Sequence, residues 1–458
     1  MPGEGLEDRA YPSRRAPYAA FAWKATSLTA GPPDGLQTLA FDAAIHDCAP
    51  MPTFDEDARS KARSPLIALG PAGFLVLISA LSAFPPVTTD IYLPALPELT
   101  RDLAGTTAQG QQTLAAFFVG LSIGQLGYGP WSDRIGRRPV ILIGVAVYLA
   151  ASFGCALAHS MPAMIVLRFI QAVGASAAVV ASSAMVRDRY DHLESAKVLS
   201  MVMLVRGLGP IVAPVLGGLI VTVGGWRAIF WALSVFGVVI GAVVLASLEE
   251  TRTAAVAERA RSESPLKAYL GVLASGRTMA YVMTACLNFG CLFAWVAAAP
   301  FLLIGVYRIP PLWFGWVFLI NALGFMATSQ INRALLRRCR PDSIMTWGAV
   351  FAAAAAAVLM ADALTGALGP VGVLAPLFLV ISSLGFVATN AQAGALAVDP
   401  PRAGTVSAVF GACQFMFGAV ATAAGAIISR EPAIAMATVI LVGALGALAL
   451  PVLVLRRR

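Results

Sequence analysis

The chain has 458 residues, of which 58% are hydrophobic and only 12% charged, whereas soluble chains carry roughly 25% charged residues. Together with a mean hydropathy of +0.78, this excludes a water-soluble globular protein. The net charge of +8 falls in clusters between apolar runs, with no basic stripe interleaved with stacking aromatics, so nucleic acid is not an expected partner.

Residues 1–63 are polar, contain prolines and have neither helical nor strand periodicity, which reads as a disordered cytoplasmic tail. They lack the compact apolar core of a signal peptide. Met51, followed by Pro-Thr-Phe and then basic residues, is an alternative start. Twelve apolar runs follow, at approximately 66–92, 110–131, 139–157, 161–186, 198–222, 227–247, 278–304, 312–334, 343–366, 370–394, 403–428 and 433–454. Each can cross a hydrocarbon core about 30 Å thick. The expected fold is an all-α integral membrane protein with twelve transmembrane helices.

Lys and Arg set the orientation. One set of loops holds Arg59, Lys61 and Arg63; Arg134, Arg137 and Arg138; Arg187, Arg189 and Lys197; Arg252, Arg259, Arg261, Lys267 and Arg277; Arg333, Arg337, Arg338 and Arg340; Arg402; and Arg456, Arg457 and Arg458. The opposite set holds Arg101, Arg227, Arg308 and Arg430. The richer side, with both termini, is expected in the cytoplasm of a multi-pass inner-membrane protein. The longest internal loop, 248–277, is polar and charged and divides the spans six and six, into halves at 64–247 and 278–458. Asp133-Arg134 with Arg137-Arg138 in the first half echoes Asn332-Arg333 with Arg337-Arg338 in the second. Two six-helix repeats around a central cavity are the expected arrangement.

Ionisable side chains within apolar runs each call for an explanation. Asp90 lies near the outer end of the first span. A low-dielectric cavity disfavours a charged carboxylate, so Asp90 can exchange a proton or receive a cation; the alternative is an interfacial cap on the helix end. Arg168 in the fourth span must face the bundle interior, either tuning a nearby acid or serving as a hydrogen-bond post between helices. Arg206 opens the fifth span's Gly/Pro-rich stretch, where Gly209, Pro210, Pro214, Gly217 and Gly218 give a thin, kinked helix for close packing. It either lines the cavity or snorkels. In the loop from Gly127 to Pro139, Asp133 can accept from backbone N–H groups and from Arg137, with Asp188 as a further partner. Such a cluster, with Gly129, Arg134, Gly136 and Arg138, either latches the two halves in the outward-facing state or only signals orientation. Cavity walls are expected from Tyr92, Phe117, Phe118, Trp295, Phe314, Trp316, Asn321, Asn390, Gln392 and Gln414.

No Gly-rich phosphate loop ending in Gly-Lys-Ser/Thr occurs, so ATP drive is unsupported. The histidines His46, His159 and His192 lie far apart, and the six cysteines have no ligand spacing. No enzyme activity, metal or cofactor is expected.

Several of these pieces together resemble one family. They are Thr89-Asp90-Ile91-Tyr92-Leu93-Pro94-Ala95-Leu96-Pro97, the Gly129–Pro139 loop, Arg168 with Gln171 and Gly174, and Pro210-Ile211 followed by Ala213-Pro214 and Gly217-Gly218. Further pieces are Phe293-Ala294-Trp295 with Pro300-Phe301, Asn321-Ala322-Leu323-Gly324, Ala403-Gly404-Thr405 with Ser407-Ala408, and Gln414-Phe415. Over roughly residues 65–455 the chain resembles the bicyclomycin-resistance (Bcr/CflA) drug-efflux family of the major facilitator superfamily. The resemblance implies a monomeric, proton-driven exporter of small amphiphilic antibiotics of the bicyclomycin, sulfonamide or chloramphenicol type. It makes Asp90 the first-helix carboxylate, Arg168 the arginine tied to proton movement, and 209–218 the antiporter motif, here with Ala213-Pro214 in place of a Gly-Pro pair. Arg206 and the long N-terminal tail depart from the family pattern. The alternatives are a proton-coupled importer of a small metabolite on the same fold, and a non-transporting receptor or membrane enzyme, which the bare loops argue against.

Overall fold

The computed structural model describes residues 70–458, except Asp191, Ala255, residues 259–263, Arg430 and residues 456–458; a few further side chains, including those of residues 203–206, are also outside the description. The expected tail at 1–63 and the alternative start at Met51 therefore lie outside the described residues. Those described are helical throughout, with no strand among them.

The first span is a broken pair, α1 (Pro71–Ser82) and α2 (Phe84–Asp90). Pro85 and Pro86 follow the break at Ala83 and lack the N–H that a continuous helix would use. The stretch Ala72–Ser82 meets the following Phe84–Asp102 at 45°. Pro94 and Pro97 then interrupt the chain again, giving a 3-10 turn at Leu93–Ala95 and the short α3 (Leu96–Asp102) beyond the span. A reciprocal cap opens α4 (Thr107–Ile135): the Gln109 amide N–H donates to the Thr106 hydroxyl at 3.2 Å, and the Thr106 N–H donates to the Gln109 side chain at 2.9 Å. Next come α5 (Arg137–Ala156) and α6 (Met161–Arg189). The 56-residue α7 (His192–Ser247) carries the fifth and sixth spans and breaks at Gly225, whose φ is +69°.

A short helix, α8 (Pro265–Leu273), lies in the linker. The second half comprises α9 (Gly276–Ala299) with a π turn at Pro300–Val306, α10 (Pro311–Leu335), α11 (Pro341–Thr365), α12 (Gly369–Ser382) with α13 (Leu384–Val398), α14 (Ala403–Ile428) and α15 (Pro432–Leu450). The tenth span, expected as one run, is interrupted at Ser383 between α12 and α13. Nine helices among the described residues are long and apolar enough to cross a membrane, ten with the broken first pair taken as one span; counting α7 as two and adding the long α4 gives twelve, six on each side of the linker. The halves meet chiefly where α4 packs on α14 and α7 packs on α10.

Large apolar side chains such as Val76, Val223, Val235, Val371 and Ile427 are mostly exposed. On a soluble protein so much exposed apolar surface would be a liability; on this bundle it is the lipid-facing belt. Inside, small residues let backbones approach. A Cβ added at Gly174 would stand 2.5 Å from the Tyr148 backbone nitrogen and 2.6 Å from the Gly144 carbonyl. Glycine there brings α6 directly against α5, which sets the register of the polar residues described next.

Candidate functional site

The helix stops at Asp90, where the backbone N–H of Ile91 closes on the Val87 carbonyl at 3.1 Å; among the described residues no backbone N–H reaches the next carbonyl, that of Thr88. The Thr88 carbonyl takes up the fully buried Arg168 guanidinium instead, at 3.4 Å from Nη1 and 3.5 Å from Nη2. A helix C-terminus carries partial negative charge, so a cation is favoured at this point. Arg168 Nη1 also donates to Gln171 Oε1 at 2.6 Å, and Gln171 Nε2 donates to Ser152 Oγ at 2.7 Å. Thr88 and Tyr148 share a hydroxyl–hydroxyl bond at 2.8 Å. The guanidinium carbon sits 4.1 Å from the Tyr92 ring centre and 4.2 Å from that of Phe117. Tyr92 is fixed in turn by a 3.0 Å bond to Thr113. Arg168, Tyr92 and Phe117, expected separately, are thus one cluster spanning α2, α4, α5 and α6. Among the described residues, Arg168 Nε has no hydrogen-bond partner.

Asp90 stands two residues beyond Thr88 and is 7% exposed. Among the described residues no hydrogen bond or ion pair reaches its carboxyl. It is buried in the bundle rather than capping a helix end in water, and it is not paired with Arg168.

At the opposite end of the first half, the basic loop is folded onto itself. Gly136 turns the chain at φ +116°, a conformation that favours glycine. Arg137, only 4% exposed, donates through Nε to Asp188 Oδ2 at 2.9 Å, and through Nη1 to Ser132 Oγ at 2.7 Å and to Asp133. Glu250, from the linker, accepts from the backbone N–H groups of Arg137 at 2.9 Å and Arg138 at 3.1 Å. A carboxylate thereby caps the positive end of α5. Arg252 donates to the carbonyls of Asp133 and Arg134, and Arg138 to the Leu245 carbonyl at 2.8 Å. The sequence anticipates Asp133, Arg137 and Asp188 together. These bonds of Arg137 join α4, α5 and α6 of the first half, and Glu250 and Arg252 of the linker bond over them.

The Gly/Pro stretch of α7 lies where the halves meet. A Cβ on Gly217 would collide with the backbone of Ile91, and one on Gly218 with the carbonyl of Pro311 at the start of α10. Gly209 faces Pro86, with a would-be Cβ at 3.1 Å. Pro210 and Pro214 lie within the same helix. The side chain of Arg206 lies outside the described residues. Deeper in the bundle, Ser122 Oγ on α4 donates to the Ala412 carbonyl on α14 at 2.8 Å, and Phe118 packs on Phe293 and Phe415 with ring centres at 4.4 and 6.2 Å.

The second half contributes neutral polar groups. Asn390 Nδ2 donates to Asn332 Oδ1 at 2.7 Å, and Asn321 Nδ2 to the Val317 carbonyl at 3.1 Å. Trp295 is buried on Phe318, with ring centres 5.7 Å apart, and its indole N–H is unpartnered. Phe314 is buried, Gln414 is half-buried, and Trp316 and Gln392 are exposed. At the end of the first half away from the basic loop, Asp102 accepts from Trp226 Nε1 at 2.9 Å and Arg227 Nη1 at 2.6 Å, while Arg227 Nη2 reaches the Ala158 carbonyl at 3.2 Å. The Trp226 indole bond, and then Arg227, hold the Asp102 carboxyl below the usual carboxylate range.

Residues 72–425 match the sequence model of the Major Facilitator Superfamily. A bicyclomycin resistance protein homolog of Haemophilus influenzae is 31% identical over 349 residues, covering 76% of this chain and 87% of that protein. A chloramphenicol resistance protein of Pseudomonas aeruginosa is 32% identical over 346 residues, covering 74% and 80% respectively. The partially occluded inward open xylose transporter XylE from E. coli has the same fold, with a TM-score of 0.62 over 83% of this chain and 97% of that one, at 15% identity.

Proposed function

Since the chain belongs to the Major Facilitator Superfamily and is a multi-pass membrane transporter rather than an enzyme, we propose that it exports small drug-like molecules in exchange for protons. The observation that carries this reading is the isolation of Asp90, buried with no donor or cation bonded to it among the described residues. An uncompensated carboxylate in a low-dielectric interior is costly, and a proton or a bound cation relieves that cost. Arg168 donates to Thr88 and Gln171 and not to Asp90. Asp90 is therefore free to change its protonation state as the outer or inner side of the bundle opens.

In this scheme a proton from outside neutralises Asp90, drug is released, and the two halves rock about the α4–α14 and α7–α10 contacts. The pinned basic loop keeps the cytoplasmic end of the first half rigid during that motion. The names of the relatives favour antibiotics of the bicyclomycin and chloramphenicol type, and sulfonamides share their amphiphilic character. The reading places the protein in the inner membrane as a monomer with both termini cytoplasmic, and its halves at 64–247 and 278–458 joined by the 248–277 linker.

Proteoliposomes loaded with drug and given an imposed pH gradient test it. Proton movement opposite to drug supports exchange. Proton and substrate moving in the same direction would assign the chain to import.

A further inference from the structure

The linker helix α8 (Pro265–Leu273) does not belong to either bundle. On one side it packs against α9 and α14, with Val272 buried. The other side carries Leu266, Leu270 and Leu273, which are 66%, 54% and 47% exposed. At roughly 100° per residue, these three leucines fall within an arc of about 60°. A nine-residue helix holding such a stripe in water would gain nothing from it.

The position of the helix says what covers the stripe. The Tyr269 hydroxyl donates to the Leu126 carbonyl of α4 at 3.0 Å. From Leu126, α4 continues to Ile135, a further rise of about 13 Å. Tyr269 thus reaches well below the charged loop that follows α4, to a level where Ile123 and Leu126 are themselves exposed in the lipid-facing belt. The leucine face continues that belt. Cations surround it: Lys267 and Arg277 are exposed, and the Arg402 guanidinium lies over Gly271, where a Cβ would stand 2.9 Å from Nη1.

We propose that α8 is an in-plane lipid-binding helix, with Leu266, Leu270 and Leu273 among the acyl chains of the cytoplasmic leaflet and Lys267, Arg277 and Arg402 facing anionic headgroups. Apolar burial and attraction to acidic lipid act together in such helices. Because α8 touches α4 of the first half and packs on α14 of the second, the leaflet holds a strap between the two moving bodies. The side of the membrane rests on the orientation proposed above; the lipid contact does not rest on drug export.

The test uses the full-length protein in vesicles of phosphatidylethanolamine, with or without phosphatidylglycerol. A nitroxide is attached to Leu270→Cys, and separately to Leu266→Cys, after the native cysteines are replaced. The reference is a separate variant that keeps Cys339, exposed in another loop, as its one labelled cysteine. The expected result is loss of accessibility to a water-soluble nickel chelate at both leucine sites, with access to oxygen, and the reverse at Cys339. Chelate access at Leu270 and Leu266 equal to that at Cys339 overturns the proposal. Phosphatidylglycerol should deepen the Leu270 label, and Lys267→Gln with Arg277→Gln should remove that response. An identical depth in both lipids rejects the headgroup contact. All these readings hold whether or not the vesicles transport drug, so failure of export leaves them intact.

Discussion

Arg168 donates to the backbone carbonyl of Thr88 and not to the carboxyl of Asp90, although the two acceptors are only two residues apart in the chain. The cation is held by a helix end and two aromatic rings, and the acid is left alone. A fixed charge and a titratable one are thereby kept separate within the same half.

Replacing Arg168 by Ala should strip Gln171 and the Thr88 carbonyl of their donor and open space between Tyr92 and Phe117. Hydrogen bonds to charged groups contribute about 1.5–3 kcal/mol each, so thermal unfolding in detergent should fall by several degrees. Protons moved per drug molecule should also change. Arg168→Lys keeps the charge but loses the two-pronged contact and the planar stacking, and should recover stability only in part. Unchanged unfolding and coupling in both variants would remove the cluster from the account.

The basic loop gives a second expectation. Arg137 and Asp188 are both nearly buried, and removing one partner of such a pair costs roughly 3–5 kcal/mol. Arg137→Ala should be strongly destabilised. Glu250→Gln should lose about 1 kcal/mol through its weaker cap on the two N–H groups that open α5. Thermal scans of the purified variants decide this, and equal stability of Glu250→Gln and the parent would show that the linker does not fasten the loop.

Gly217→Val should stop transport without preventing membrane insertion. The added side chain has to displace the Ile91 backbone, so the fifth span can no longer seat against the first. Normal drug efflux by this variant, at normal expression, would contradict the close packing described here.

The Asp102 clamp sets a pH dependence. Asp102 has its carboxyl held below the usual range by Trp226 and then Arg227, so its contribution is complete above the ordinary carboxylate value of about 4 and is lost as pH falls through the lowered one. Unfolding temperature measured down an acid series should therefore decline in the parent and decline less in Asp102→Asn. A parallel decline in the two would assign the acid sensitivity elsewhere.

Some of this was legible in the sequence because charge is conspicuous in apolar surroundings. Asp90, Arg168 and the Asp133–Arg138 cluster stand out for that reason, and the loop signs give twelve spans in two halves. Thr88, Tyr148 and Ser152 do not stand out, since hydroxyls are common in membrane helices and their partner depends on the α5–α6 register that Gly174 permits. The role of Glu250 was hidden because it lies far along the chain from the loop it caps. The helix α8 was masked by the charged linker around it. Trp316, an aromatic in a span, was expected at the cavity and is exposed beside Trp313; composition does not say which face of a helix an aromatic occupies.

The central claim is that the Asp90 carboxyl carries the coupled proton, and drug flux in proteoliposomes under an imposed pH gradient tests it most directly. Asp90→Asn should unfold at the parent's temperature and still bind drug, yet show no gradient-driven accumulation at any pH. Accumulation at the parent's rate, with the same response to the gradient, would contradict the account.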